Sequence, residues 1–268
     1  MKFFIIKFPA KTPFIRFLIK TLYAIGAVSL LIGFWQLLVM YSGVNRALLP
    51  SPAEVLTALI NLANTGQLFT HIGISLYRFF VGYLTAVTAG LILGLLIGQI
   101  NFLAKLVDPL AQLIRPVAPV AWMPFIVLFF GIGDAPAILV IFIAAFFPIL
   151  LPTMNASRKI DENYMKIART FEMRQPKIFF KIIIPAIFPH IVNGMHLGLG
   201  AAWIFLVAGE MIGVRSGLGF LIMDARNNMR SDILLGTICI IALLGLILDK
   251  LIGIFESQIN KLWGIRSE

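Results

Sequence analysis

From Phe79 to Gln99 the chain runs without one charged side chain. Coiled as an α-helix, such a run rises about 31 Å, the depth of a bilayer's hydrocarbon core. Similar apolar runs recur near 18–40, 116–133, 137–154, 191–212 and 233–255. Lipid offers the backbone no partners, so a spanning segment must pair its own amides, as a helix or in a closed barrel. These runs are too long and too unalternating for barrel strands. Composition agrees: 60% of residues are hydrophobic and 13% charged, against roughly 45–50% and about 25% in soluble domains. The fold class predicted is all-α: one polytopic unit of six transmembrane helices. A basic N-terminus (1–17) precedes a membrane domain (18–255), and a short tail (256–268) follows.

The net charge is +10. Nucleic acid is one partner for such a balance. In a chain this apolar, the better reading is the Lys and Arg excess of cytoplasmic loops. Segments 1–20, 101–115, 156–189 and 249–268 together carry 17 of the 22 basic residues; Arg46, Arg78, Arg215, Arg226 and Arg230 are the rest. That bias places both termini and the 156–189 segment in the cytoplasm. A basic start before an apolar run could also be a signal peptide, but Leu18–Met40 is too long and no small-residue cleavage site follows closely.

Local signals fill in the pattern. Ser51-Pro52-Ala53-Glu54 starts a short amphipathic helix through a capping box, ended by Asn64-Thr65-Gly66, and lying at the outer surface. Gly90, Gly94 and Gly98 repeat every four residues, so another helix can approach closely, within one subunit or between two. Asn101–Arg115 reads as a polar turn and Val214–Ser231 as a loop. Pro116, Pro119 and Pro124 break the third run, and a broken helix at membrane depth lines a cavity or is a kinked core helix. Trp122, Met123 and Pro124 are therefore pathway candidates, with Trp203 on the fifth helix. A kink is expected at Pro148.

No catalytic constellation is present. His71, His190 and His196 show no metal spacing, Cys239 is a lone cysteine in an apolar run, and there is no phosphate-binding G-x-x-x-x-G-K-[ST] loop. Catalytic residues, metal sites and a cofactor of the chain's own are not expected. An ion-coupled carrier needs intramembrane charge. Glu210 is the one clear acid deep in a run, and it serves either as a surface structural group or as a pathway or gate residue. A stand-alone secondary carrier or channel is the alternative reading, and a membrane enzyme comes third.

The polar stretch Asn155–Gly200 stands between two apolar runs. Tyr164, Ile167, Ala168 and Phe171 share one helical face, so the membrane bundle or a protein partner must cover it. Pro176 opens a second helix, and Pro185 and Pro189 lead into the fifth span. This segment resembles the cytoplasmic "EAA" loop of permease subunits of bacterial ATP-binding-cassette importers, with Ala168 matching the second Ala and Ile184-Pro185 and Pro189 the later prolines. Lys166-Ile167 stands where Glu-Ala is usual, and Glu172 where the turn Gly is usual. Leu49-Pro50-Ser51-Pro52-Ala53-Glu54-Val55, Ser75-Leu76-Tyr77-Arg78, Ala121-Trp122-Met123-Pro124, Phe130-Gly131-Ile132-Gly133, Phe147-Pro148, Glu210-Met211-Ile212-Gly213 and Ser216-Gly217-Leu218-Gly219 are similar to the nitrate, sulfonate and taurine branch of that family.

The resemblance implies an inner-membrane permease that pairs with a second copy as a homodimer. A cytoplasmic ATPase dimer, carrying ATP and Mg, would dock on the 156–189 loop. Its coupling residues would be Tyr164, Ile167, Ala168, Phe171, Glu172, Pro185 and Pro189. A periplasmic binding protein would deliver a small solute such as a sulfonate, taurine or nitrate. Lipid is the remaining partner, and no nucleic acid is expected.

Overall fold

The computed structural model describes residues 13–41, 43, 45–159, 170, 173 and 175–263. Among these, every regular element is helical. In chain order they are α1 (Pro13–Tyr41), α2 (Pro52–Asn64), α3 (Gln67–Gln99) and α4 (Asn101–Ile114). A 3-10 turn, Pro119–Trp122, leads into α5 (Met123–Phe130), then α6 (Asp134–Arg158) and α7 (Gln175–Ile178). A π-helical turn, Phe179–Ile183, joins α7 to α8 (Ile184–Gly213). Helices α9 (Leu218–Asn227) and α10 (Ser231–Trp263) complete the chain.

The centre of the bundle is α6, held between α3 and α8 by glycine. On α3, a Cβ at Gly82 would lie 2.8 Å from the Ile138 carbonyl oxygen; one at Gly94 would lie 3.0 Å from that of Leu150; one at Gly98 would lie 2.6 Å from that of Met154. Gly90 meets Ile149 in the same way. The four-residue glycine repeat therefore serves packing within one subunit, and Gly82 extends it. On the other side of α6, Gly198 of α8 faces the opposite flank of Ile149. Pro152 has no N–H for the carbonyl of Pro148, and Gly194 packs over that oxygen, where a Cβ would lie at 3.0 Å. Close backbone approach of this kind replaces the hydrophobic force that lipid does not supply between helices. An aromatic group seals the layer: Phe79 stacks on Tyr83 and meets the edge of Trp203, and all three are buried.

Helix α2 forms as its capping box requires. Ser51 N–H donates to Glu54 at 2.7 Å, and Glu54 N–H to the Ser51 hydroxyl at 3.3 Å. Its buried face of Val55, Ala58 and Leu62 rests against the bundle, with Leu59 seated over Gly236 of α10.

The elements differ from the expected spans in several places. Helix α3 starts at Gln67, twelve residues before Phe79, because the polar side chains of its first turns find partners inside the fold. The polar turn at 101–115 is the amphipathic helix α4, and the loop at 214–231 contains α9. Helix α8 does not wait for Pro189: it begins at Ile184 with Pro185 in its first turn, and Pro189 lies inside it. Proline suits a first turn, where the missing N–H has no partner to lose. Helix α6 continues through both Pro148 and Pro152. Among the described residues, four helices are long and apolar enough to cross a membrane, or five if α4 and the Pro119–Phe130 pair, bent by 83°, count as one. In α1 the apolar stretch Ile25–Tyr41 is shorter.

Candidate functional site

At one end of the bundle, four segments converge on a buried charge. Helices α3 and α6 run parallel and α8 antiparallel to them, so the start of α3, the start of α6 and the end of α8 meet. Ser75 and Arg78, three apart on α3, share a face. Arg78 is 2% exposed and Glu210, near the end of α8, is fully buried. Their Nη1–Oε1 distance is 2.7 Å.

The guanidinium uses all its donors. Nε donates to Asp134 Oδ1 at 2.8 Å, and Nη2 lies 2.7 Å from the same oxygen. Nη1 also donates to the Ser216 carbonyl at 2.7 Å, and Nη2 to the Ser216 hydroxyl at 2.8 Å. Glu210 is equally occupied. It accepts from the Ser75 hydroxyl at 2.8 and 2.9 Å and from Gly219 N–H at 2.9 Å. The Ser75 oxygen in turn accepts from Leu218 N–H at 2.8 Å, and His71 Nδ1 from Gly217 N–H at 3.0 Å. The first amides of α9 thus point at Glu210 and Ser75, as helix N-termini do toward an anion.

Backbone geometry fixes the loop. Gly217 has φ +105°, a region open to glycine, and a Cβ there would overlap the Glu210 carboxylate. A cavity of about 450 Å³ opens beside this clasp, lined by Arg78, Ile132, Gly133, Asp134, Val214, Arg215 and Ser216. Asp134 is the exposed member, at 57% of its side chain. Chemically the arrangement is a cross-link. One cation and two carboxylates tie α3, α6, α8 and the turn before α9 into one rigid end.

The other sequence candidates fall elsewhere. Tyr164, Ile167, Ala168, Phe171 and Glu172 lie outside the described residues. Pro185 is half-buried and Pro189 exposed. Trp122 and Pro124 are exposed at the break before α5, while Met123 is buried, its methyl against Gly213. Trp203 is buried and donates to the Ile241 carbonyl at 3.0 Å. Glu210 is bonded to a loop, yet it is fully enclosed and paired. The sequence pattern does not reveal its partners: the charge count puts Arg78 with the outer segments, and nothing local joins Arg78, Asp134 or Ser216 to Glu210. The signal available was the unmatched acid itself, since a carboxylate in an apolar run needs a cation. Among the described residues, no group of three or more His, Cys, Asp or Glu side chains is placed to hold a metal.

Long apolar helices packed through glycine, and clasped at one end by buried charge, define a multi-pass helical membrane protein. Residues 86–261 match the family described as binding-protein-dependent transport system inner membrane component, and the chain belongs to it. It is 34% identical over 233 residues to the aliphatic sulfonates transport permease protein SsuC of Bacillus subtilis strain 168, covering 87% of this chain and 84% of that protein. It is 33% identical over 242 residues to the nitrate import permease protein NrtB of a Synechocystis species, with 87% of each covered. With the taurine transport system permease protein TauC of Escherichia coli K12 it shares 29% identity over 231 residues, 84% of each. The chain is thus a permease subunit of an ATP-binding-cassette importer, a transporter component of the inner membrane that works with an ATPase and a substrate-binding protein.

Proposed function

We propose that two copies of this chain form one passage, through which a small anion enters the cell. The observation that carries this reading is the match over residues 86–261, together with relatives named for aliphatic sulfonates, nitrate and taurine. Six spans place both termini in the cytoplasm, with the basic 1–17 segment, the 18–255 membrane domain and the 256–268 tail arranged as the charge bias directs. The clasp of Arg78, Glu210 and Asp134 then lies at the periplasmic end. A periplasmic binding protein releases solute there, and the membrane lipid surrounds the dimer. Trp122, Met123, Pro124, Trp203 and Glu210 belong to the pathway region. Trp122 and Pro124 face outward from the subunit, and Glu210 acts by holding the end of α8 in place.

The energy comes from a separate ATPase dimer, which holds ATP and Mg. It docks on the 156–189 loop through Tyr164, Ile167, Ala168, Phe171 and Glu172. Pro185 and Pro189 pass the motion on. The unbroken helical run from Gln175 to Gly213 supports such coupling, because a stiff rod carries a push as rigid-body movement. Co-expression with an ATPase and a binding protein, followed by uptake of radiolabelled taurine, sulfonate or nitrate, tests the reading. Ala168→Arg should abolish ATP-driven uptake while the chain still inserts in the membrane. Uptake that survives this substitution would overturn the coupling assignment.

A further inference from the structure

A second group of ionisable side chains lies far from the clasp. His196 Nδ1 of α8 is 2.7 Å from Asp249 Oδ1 of α10, and its Nε2 lies 3.8 Å from Glu256. Their depth follows from two helices. On α8, the 14 residues from Glu210 to His196 rise about 21 Å. On α6, the neighbours of His196 are near Pro148, since Gly194 packs on Pro148 and Gly198 on Ala145. From there to Arg158, which pairs with Asp108 at 3.4 Å, remains about 15 Å. The His196–Asp249 pair therefore sits within the hydrocarbon slab, past its middle. Even so, the Asp249 side chain is 57% exposed on the isolated subunit.

Polar and small side chains gather around the pair, beside the exposed Leu197 and Leu246. On α10, Asp249, Gly253, Glu256 and Asn260 recur at helical spacing along one face. On α8, Asn193, His196 and Gly200 do the same. A Cβ on Gly200 or Gly253 would meet nothing within 4 Å. These glycines are open, unlike those that seat α6. The opposite side of α10 is different: Ile247, Leu251 and Ile254 are exposed and apolar, as a lipid-facing stripe should be. Exposed charge at membrane depth faces water or a protein partner, not lipid.

We propose that this seam of α8 and α10 is a wall of the solute passage. The His196–Asp249 pair holds the two helices together there, and Glu256 continues the wetted face. The inference rests on the permease reading but not on which solute is carried. Cys239 is the one cysteine in the chain, so Cys239→Ser supplies a background without thiols. Into it go Gly253→Cys and Gly200→Cys, where a side chain fits and the ion pair is untouched, with Leu251→Cys as the lipid-side control. The assembled transporter in lipid nanodiscs is treated with a charged, membrane-impermeant methanethiosulfonate. Gly253→Cys and Gly200→Cys should react at least tenfold faster than Leu251→Cys, and their rates should change when the ATPase binds a non-hydrolysable nucleotide. Rates equal to that of Leu251→Cys would overturn the proposal. Transport assays do not enter the readout, so a wrong solute or a failed coupling assignment leaves this result standing.

Discussion

Glu210→Gln removes one charge from the clasp and almost none of its volume. A carboxylate offers two acceptor oxygens, and here Oε1 takes Arg78 and Ser75 while Oε2 takes Ser75 and Gly219. An amide offers one. Its NH₂ must then face either the guanidinium or the Gly219 N–H, and donor meets donor around a fully buried side chain. Removing one partner of a buried pair costs about 3–5 kcal/mol. Arg78 keeps Asp134 as counter-charge, so the lower end applies, about 3 kcal/mol. Asp134→Asn is the internal comparison. Its side chain is 57% exposed, and a partner in water is worth about 1 kcal/mol or less. In the double variant Arg78→Met/Glu210→Met the stranded cation is gone, and the pair should show a coupling of about 2 kcal/mol. The assay is denaturant titration of the purified subunit in mixed micelles, followed by helical circular dichroism. A loss below about 1 kcal/mol for Glu210→Gln, or an equal loss for Asp134→Asn, would refute the claim that burial sets the strength of this clasp.

Two further outcomes follow from packing and capping. On α3, Gly82→Ala would press a methyl against the Ile138 carbonyl at 2.8 Å, a backbone atom that cannot yield, and should destabilise by about 1–3 kcal/mol. Gly73→Ala on the same helix meets nothing within 4 Å and should be neutral or stabilising by about 0.5–1 kcal/mol, so the two melting shifts should have opposite signs. The carboxyl of Glu54 is held below its ordinary value chiefly by the Ser51 backbone N–H, helped by the Ser51 hydroxyl. A carboxylate whose folded pKa is depressed adds stability above its unfolded value, 4.5, and loses it as pH falls through the folded value. The protection factor of the first amides of α2 against hydrogen exchange should therefore fall as the pH drops below 4.5 in the wild type, and Glu54→Gln should abolish that dependence.

The apolar runs near 79–99, 137–154, 191–212 and 233–255 each fall on a helix long and apolar enough to cross a membrane, because lipid leaves the backbone no other solution. Helix limits were harder. His71, Ser75 and Arg78 looked like loop residues by polarity, yet each is satisfied by a partner more than fifty residues away, and periodicity carries no information at that range. Asn101–Ile114 was obscured by Lys105, Asp108 and Pro109, which sit on the exposed or half-exposed side of an amphipathic helix. The glycine repeat announced a close approach but not its partner, since a missing side chain says nothing about what fills the space.

The clasp was nearer to being readable. Arg78 stands just before one charge-free run, Asp134 just before another, and Glu210 at the end of a third. Consecutive spans alternate in direction, so the spans that follow Arg78 and Asp134 begin on the side where the one holding Glu210 ends. Three lone charges, one positive and two negative, are thereby brought to the same end of the bundle. An unpaired charge at a membrane boundary is costly, and opposite charges at one level relieve one another. Topology alone thus nominates Arg78 as the partner of Glu210, and what it leaves to the structure is the loop: Ser216 offers its carbonyl and hydroxyl to Arg78, while Gly217 and Gly219 close over Glu210 because only a backbone without side chains can come that near the carboxylate.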